Sequence, residues 1–251
     1  MSSSIWTRCA GDSEIRELRL DPWRAVEAQH QLSTRKLVSS ADEQMVLEEL
    51  IDSAKPPDLA AGRRHYLLST PFRYPPLRHG TRFGTRLERG IWYGSETRET
   101  AFSEVAYYRY VFCEGTRADL GVISTPLTVF RTKARSARGV DLTAPPFDAY
   151  RRTIASPARY DASQSLGAAM RAAGVELFRY PSARDPKGGA NMGAFTPEVF
   201  GRAKPRDLET WQCVSTPEMV ELTKRDYFGH EVLTFARELF VVGGKLPAPA
   251  V

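Results

Sequence analysis

The stretch from Thr70 to Arg109 constrains this chain most, because it sets arginines, aromatic residues and one carboxylate between turn-forming residues. Arg82, Tyr93 and Glu104 follow one another at intervals of eleven residues. Arginine is favoured where an anion must be held in fixed geometry, and tyrosine offers a flat apolar face with one polar tip. A carboxylate among such groups can stabilise a developing positive charge or take part in proton transfer. The stretch therefore suggests a pocket for an anionic, ring-bearing small molecule.

Length and composition are those of an ordinary globular protein. The chain has 251 residues, enough for one large domain or two small ones. With 42% hydrophobic and 26% charged residues, disorder is not expected. No apolar run approaches the length of a membrane-spanning helix, and the first residues lack the pattern of a secretory signal. We therefore expect a cytoplasmic protein without membrane contact.

The charge favours an anionic partner without identifying it. The net charge is +5 and the pI is about 9.2, and a basic balance can serve nucleic acid or an anionic substrate. The arginines are spread along the chain, and no nucleic-acid-binding motif is present. A phosphate-bearing small molecule explains the charge equally well, so direct binding of nucleic acid is not predicted.

The cysteines and histidines form no metal-ligand pattern. Cys9, Cys113 and Cys213 are odd in number and far apart, which suits buried thiols in a reducing compartment better than a disulfide framework. The four histidines are scattered as well. We therefore predict no metal site.

Residues 1–58 are predicted to form a helical extension that packs on a single unit, residues 59–251. Within the extension, Ile5–Arg8 is expected to be a short strand. Asp21-Pro22 combines a capping acid with proline at the first helical position, so a helix carrying Trp23 is expected to follow.

A second helix of the extension is predicted after the capping box at Ser40–Glu43, and it should end before the prolines at 56 and 57. We predict no chemistry for residues 1–58, although Arg24, Glu27 and Gln29 could brace a site from outside.

The remaining residues alternate short strands with a few helices, which is typical of an α+β fold. Strands are predicted where β-branched and aromatic residues stand between turn residues, at 65–68, 90–94, 121–131, 140–142, 175–180 and 191–195. Helices are predicted after Ser95, which can cap the helix that follows it, over 163–173 and from Thr196. The pattern around 208–214 allows either a helix or a strand. Glycine-rich nucleotide-binding loops are absent from the sequence, so ordinary dinucleotide folds are not indicated.

Glu104 holds an unusual position on the helix predicted after Ser95. It lies beside an apolar face, because it is three residues from Ala101 and four from Tyr108. Carboxylates seldom border an apolar face, so Glu104 is a candidate functional residue.

The ordered set of motifs resembles the RES-domain proteins, toxins of bacterial toxin–antitoxin pairs that are named for an arginine, a glutamate and a serine. The matching segments are Arg73-Tyr74, Gly80-Thr81-Arg82-Phe83, Tyr93 at the end of a short strand, Glu104 within Thr-Ala-Phe-Ser-Glu-Val-Ala, Tyr180-Pro181-Ser182-Ala183-Arg184, and Asn191. The resemblance covers roughly residues 60–200. The chain departs from compact members in its N-terminal region, its long tail and the short segment between Arg73 and Arg82.

The resemblance implies an ADP-ribosyltransferase-like fold, a split β-sheet core with NAD+ bound in a cleft as the substrate and no metal. It implies cleavage of the nicotinamide–ribose bond by hydrolysis or phosphorolysis, or transfer of ADP-ribose to a protein target. It further implies a cognate Xre-like helix-turn-helix antitoxin whose C-terminal part occludes the cleft.

On this resemblance we assign three catalytic residues. Glu104 would stabilise the oxocarbenium-like centre that forms at the anomeric carbon. Arg82 would bind the pyrophosphate, because arginine can bind its oxygens bidentately. Ser182 would hydrogen-bond the nicotinamide amide, the ribose or a phosphate.

Four further residues are assigned to NAD+ binding. Arg73 would be the second arginine on the pyrophosphate. Tyr74 and Tyr93 would stack on the nicotinamide ring or wall it in. Asn191 would support Ser182.

Each assignment has a structural alternative. Glu104 could pair with Arg109 or another arginine, and Arg73 and Arg82 could be structural ion-pair partners. The tyrosines could be core residues, and Ser182 could be a turn residue. At the level of function, the alternatives are a non-catalytic basic module that binds nucleic acid or a protein, and a family member that has lost its toxicity and acts in another pathway.

Overall fold

A single mixed β-sheet organises the computed structural model, which describes residues 4–28, 38–54, 64–74, 78–118, 120–226 and 229–249. Its strands are β1 (Arg16–Leu20), β2 (Trp23–Glu27), β3 (Trp92–Ser95), β4 (Ile123–Arg131), β5 (Ala134–Asp141), β6 (Leu177–Pro181), β7 (Ala190–Ala194), β8 (Arg206–Ser215), β9 (Met219–Asp226) and β10 (Gly229–Ala236). They lie in the order β1-β5-β6-β7-β3-β2-β4-β8-β9-β10.

The sheet narrows at its middle. A single residue pair, Trp23 with Ser95, joins β2 to β3, whereas β2 pairs with β4 through five residues. We call β1, β5, β6, β7 and β3 the first half-sheet, and β2, β4, β8, β9 and β10 the second half-sheet. The α+β fold class is therefore confirmed, while the likeness to ADP-ribosyltransferases stays a prediction.

Helices cover the two half-sheets differently. The helices are α1 (Ile5–Arg8), α2 (Ala41–Ala54), α3 (Tyr66–Arg73), α4 (Arg98–Glu114), α5 (Arg151–Ile154) and α6 (Asp161–Ala172), with single 3-10 turns at Gly11–Glu14, Phe147–Tyr150, Pro197–Phe200 and Arg237–Phe240. Helix α4 packs on the second half-sheet, where Phe102 contacts Trp211 at a ring separation of 4.7 Å.

The first half-sheet carries a core on each face. Successive residues of a strand point to opposite faces, so Leu177 and Trp92 pack with α3 and the 3-10 turn at Pro197–Phe200, whereas Phe178 packs with α1 and α6 on the other face. As a result, nearly every residue of β3, β6 and β7 is buried.

The prediction of a helical N-terminal extension is wrong for residues 16–27. Those residues form β1 and β2, and β2 lies at the centre of the sheet. The carboxylate of Asp21 does not cap a helix, because it pairs with Arg131 at 3.0 Å and with Arg206. Pairing with β4 satisfies the backbone of β2 and overrides the local helix-start signal. The proposed division at residue 58 stays a prediction.

Two short segments that were expected to be strands are helices. Ile5–Arg8 forms α1, because the Ser4 hydroxyl accepts a hydrogen bond from the Thr7 amide and Trp6 is buried beside Phe147. His65 likewise caps α3 through Nδ1, which accepts from the Leu67 amide at 3.3 Å. A side-chain cap of this kind outweighs the β-propensity of isoleucine, tryptophan and tyrosine.

Other predictions are confirmed. Helix α2 begins at the expected capping box, where the Ser40 hydroxyl accepts from the Glu43 amide at 3.1 Å. Strands β3, β4, β6 and β7 and helix α6 lie within two or three residues of their predicted bounds. The undecided C-terminal region forms β8, β9 and β10, an antiparallel meander. Gln29 and the prolines at 56 and 57 lie outside the described residues.

Candidate functional site

A cleft of about 670 Å³ lies where the two half-sheets meet. It is bounded by β2 and β3, by one face of α4 and by the residue before α6. Among the described residues, the large polar side chains of its lining belong to three arginines, four tyrosines, two glutamates and one asparagine. These are Arg24, Arg82, Arg109, Tyr93, Tyr108, Tyr160, Tyr180, Glu27, Glu104 and Asn191. The narrow joint between the half-sheets thus gathers charged and aromatic side chains from distant parts of the chain.

Glu104 is held by two neutral donors. Its Oε1 accepts hydrogen bonds from the Ser182 hydroxyl at 2.7 Å and from the Asn191 amide nitrogen at 2.6 Å. Within the described ranges, Oε2 accepts no hydrogen bond and no cation lies within 4 Å of the carboxylate. Arg109 pairs instead with Glu27, at 2.7 Å. The alternative that Glu104 is a structural ion-pair partner of Arg109 is therefore wrong, and one carboxylate oxygen remains available to a ligand.

Ser182 starts a tight loop that is tied to the helix of Glu104. Its hydroxyl oxygen accepts from the amides of Arg184 and Asp185, at 3.1 and 3.0 Å. The carboxylate of Asp185 accepts from the Thr100 hydroxyl at 2.7 Å and from the Gly189 amide at 3.2 Å. Because Thr100 lies on the first turn of α4, this link fixes the serine relative to the glutamate. Neither role was predicted: Asp185 lies outside the quoted motifs, and Thr100, although it opens the Thr-Ala-Phe-Ser-Glu-Val-Ala motif, was given no role.

Asn191 is oriented from the neighbouring strand. It is 1% exposed, and it faces Ser95 in the register of β3 with β7. The Ser95 hydroxyl donates to Asn191 Oδ1 at 2.7 Å, which directs the amide nitrogen towards Glu104. The prediction that Ser95 caps α4 is wrong, because Thr97 does so by accepting from the Thr100 amide at 3.1 Å.

Arg82 reaches the cleft from a turn, and the structure gives it a partly structural role. Its Nη1 donates to the carbonyls of Ile154 and Ser156, at 3.2 and 2.8 Å, and its guanidinium lies 4.6 Å from the centre of the Tyr160 ring. No carboxylate of the described chain pairs with it. Its positive charge is therefore fixed in place and uncompensated, as an anion site requires.

The tyrosines form an aromatic wall beside Glu104. Tyr93 meets Tyr180 edge to face at 6.2 Å, and its hydroxyl bonds Thr81 at 2.9 Å. Burial raises the pKa of Tyr93 to about 12 and that of Tyr180 well above its ordinary value. Both phenols therefore stay neutral at physiological pH and can act as hydrogen-bonding, ring-contacting walls.

Arg24, like Glu27, lines the cleft although the sequence analysis placed it outside the site. It lies on β2 among the lining residues, and its guanidinium lies 4.8 Å from the centre of the Trp92 ring. Its Nη1 is shielded from solvent and has no hydrogen-bond partner in the described part of the chain. Burial lowers its pKa to about 10, so the charge persists at neutral pH. No local pattern marks it, because its strand is fixed by pairing with β4.

Arg73 and Tyr74 are placed elsewhere. They stand at the C-terminal end of α3, neither lines the cleft, and Arg73 lies 5.9 Å from the Tyr74 ring. Among the residues assigned from the sequence, the structure therefore brings together Glu104, Ser182, Asn191, Tyr93 and Arg82, and it leaves Arg73 and Tyr74 outside.

The family model described as the RES domain matches residues 56–215. The chain belongs to the RES domain family. The match includes Arg82, Glu104 and Ser182, which converge on the cleft, whereas Arg24 lies before the matched range. A search among curated proteins found no match.

The described ranges contain no candidate metal cluster and no candidate membrane-spanning helix. No cluster of three or more histidine, cysteine, aspartate or glutamate residues suited to a metal ion occurs in those ranges. None of the helices described there is both long and apolar enough to cross a bilayer.

Proposed function

We propose that this RES-domain protein consumes NAD+ by cleaving the nicotinamide–ribose bond. The observation that carries the proposal is the state of Glu104. One of its oxygens is engaged by Ser182 and Asn191, and the other accepts no hydrogen bond from the described residues, in a cleft where Arg24 and Arg82 have no carboxylate partner in those ranges. A carboxylate that is held in one orientation through one oxygen, and whose other oxygen can contact a ligand, is suited to a substrate that develops positive charge.

Glu104 supplies the electrostatic part of the reaction. As the bond between the anomeric carbon and the nicotinamide nitrogen breaks, its electron pair leaves with nicotinamide and positive charge develops on the ribose. The free carboxylate oxygen stabilises that charge or holds a ribose hydroxyl. The two hydrogen bonds to Oε1 keep the acid in one orientation, so no reorganisation is needed during the reaction.

The arginines hold the anionic part of the substrate. Arg24 and Arg82 both line the cleft without a carboxylate partner in the described ranges. A guanidinium group can bind two phosphate oxygens at once through two parallel hydrogen bonds. Arg24 replaces Arg73 as the second arginine proposed to bind the pyrophosphate. The neutral phenols of Tyr93 and Tyr180 wall in the nicotinamide ring.

The acceptor distinguishes three versions of the reaction. Water gives hydrolysis, inorganic phosphate gives phosphorolysis, and a protein side chain gives ADP-ribosylation. In each, a new bond forms from the acceptor to the anomeric carbon and the acceptor loses a proton. The proposed setting is a toxin–antitoxin pair, in which an Xre-like antitoxin covers the cleft. The exposed rings of Tyr108 and Phe112, both in its lining, support a protein contact there.

The experiment is incubation of the purified chain with NAD+, with and without phosphate. Mass analysis of the small molecules and of the protein then assigns the acceptor. Release of nicotinamide by the parent and its loss in Glu104→Gln support the proposal. Intact NAD+ in every arm, together with salt-sensitive binding of DNA or RNA, would instead favour a non-catalytic basic module.

A further inference from the structure

A second pocket lies on the other side of Tyr160 from the cleft. Its volume is about 520 Å³, and Tyr160 lines both cavities. Its lining includes three arginines that the proposed reaction does not use: Arg78, Arg86 and Arg159. The two cavities are therefore neighbours that share one aromatic side chain.

The charges of this pocket are not balanced. Among the described residues, Asp161 is the one carboxylate in its lining, and it is paired with Arg159 at 3.0 Å. Arg78 and Arg86 form no salt bridge with any carboxylate of the described chain, and both are exposed. Like charges that face one cavity repel each other unless an anion lies between them. The pocket therefore has a positive potential that favours binding of an anion.

One rigid turn holds the arginines of both cavities. The Thr81 amide donates to the Gly84 carbonyl at 2.7 Å, and Gln164 Nε2 donates to the Thr81 carbonyl at 3.0 Å. Gly80 has φ +74°, and a Cβ there would stand 2.3 Å from the Gly84 carbonyl oxygen. This turn carries Arg82 towards the cleft.

Arg78 and Arg86 flank the same turn, one before Gly80 and one after Gly84, and both line the second pocket. One fixed piece of backbone therefore sets the positions in the chain from which Arg82 enters the cleft and Arg78 and Arg86 enter the second pocket.

We propose that the Arg78–Arg86–Arg159 pocket is a binding site for a phosphate-class oxyanion. Arginine is suited to this ligand, because its planar donors match phosphate oxygens bidentately. Tyr160 and Gln164 add neutral polar groups to the lining. Resting on the proposed function, the pocket is where a phosphate-bearing reactant enters beside the dinucleotide, either as free phosphate or as the phosphate end of a nucleotide.

The test measures binding without turnover. The full chain is titrated calorimetrically with inorganic phosphate in one arm and with ADP in the other. The double variant Arg78→Ala/Arg86→Ala is expected to bind phosphate about tenfold more weakly or worse, since each hydrogen bond to a charged group is strong. Both side chains are exposed, so the variant should fold, and its unfolding midpoint is measured alongside. The matched control is Arg135→Ala, an exposed arginine on β5 that pairs with Glu17.

The outcomes separate the site from the reaction. Weaker phosphate binding in the double variant, with parent-like binding in Arg135→Ala, supports the site, and a parallel loss of ADP affinity identifies the nucleotide as its source. Equal phosphate binding by all three proteins overturns it, as does binding of an acidic peptide in preference to phosphate. Failure of NAD+ cleavage with the phosphate result intact would refute the proposed function and leave the pocket standing.

Discussion

The two half-sheets contribute to the cleft in different ways. The first half-sheet has short strands that are covered on both faces, and its polar residues Asn191 and Ser182 are almost completely buried. The second half-sheet has strands of eight to ten residues beyond β2, with α4 packed on one face. From its side come Arg24 on β2 and Glu104 on α4, both only half-buried.

This difference in burial separates the groups that orient the site, on the first half-sheet, from the charged groups proposed to contact the substrate, on the second. A buried polar side chain must have its hydrogen bonds satisfied, and it is then held in one position. Asn191 meets this condition through Ser95 and Glu104, and Ser182 through its loop amides and Glu104. Within the described chain, Glu104 Oε2 and Arg24 Nη1 have no hydrogen-bond partner. The first half-sheet therefore fixes the geometry, and the second supplies the charge.

The largest effect is expected for Glu104→Gln, which removes the charge and keeps the shape. NAD+ consumption should fall by roughly 100- to 1,000-fold, because a preorganised electrostatic contact to the reacting centre is lost. Nicotinamide release gives the rate, and calorimetry should show that NAD+ still binds. A rate close to that of the parent would contradict the conclusion that the second half-sheet supplies the reacting charge through Glu104.

Arg24→Ala tests the arginine that only the structure identifies. NAD+ affinity should fall by about tenfold or more, because a guanidinium whose Nη1 has no hydrogen-bond partner in the described chain is lost from the proposed anion site. Arg73→Ala is the matched control and should stay within about twofold of the parent, since Arg73 lies outside the cleft. The reverse ranking of the two variants in calorimetric titrations would restore the sequence-based assignment.

The contrast between Arg24 and Arg73 also shows what the sequence could reveal. Glu104, Ser182 and Asn191 were found together because each lies in a motif at a recognisable spacing, and short-range patterns placed their elements well. Helix α2 and helix α6 were found for the same reason, since their signals are local.

Arg24 was missed because its strand is specified by distant residues. Asp21-Pro22 signals a helix locally, and pairing with β4, about a hundred residues away, decides otherwise. The same difficulty left β8 undecided, because its ladder with β4 joins parts of the chain that are far apart. Side-chain contacts such as Asp185 with Thr100 likewise join distant parts of the chain and have no sequence signature of their own.

Asp185→Asn probes the link between the half-sheets at smaller cost. Losing the carboxylate weakens its bonds to the Thr100 hydroxyl and the Gly189 amide, so Ser182 should shift relative to Glu104. A misplacement of this kind should lower kcat by about tenfold and leave KM for NAD+ nearly unchanged. Asp148→Asn, at an exposed aspartate, is the control. A rise in KM with constant kcat would mean that Asp185 acts on substrate binding instead.

The smallest effect is expected for Thr97→Ala, which removes the cap of the helix that carries Glu104. Loss of a side-chain cap costs about 1 kcal/mol of unfolding free energy, or a fall in Tm of roughly 2–4 °C for a chain of this size. Ser165→Ala, at an exposed helical serine, should change neither quantity measurably. Because Glu104 lies well inside α4 and is held by two bonds from the first half-sheet, the rate of NAD+ consumption should stay close to that of the parent. A large loss of rate without loss of stability would show that the start of α4, and not the first half-sheet, positions the acid.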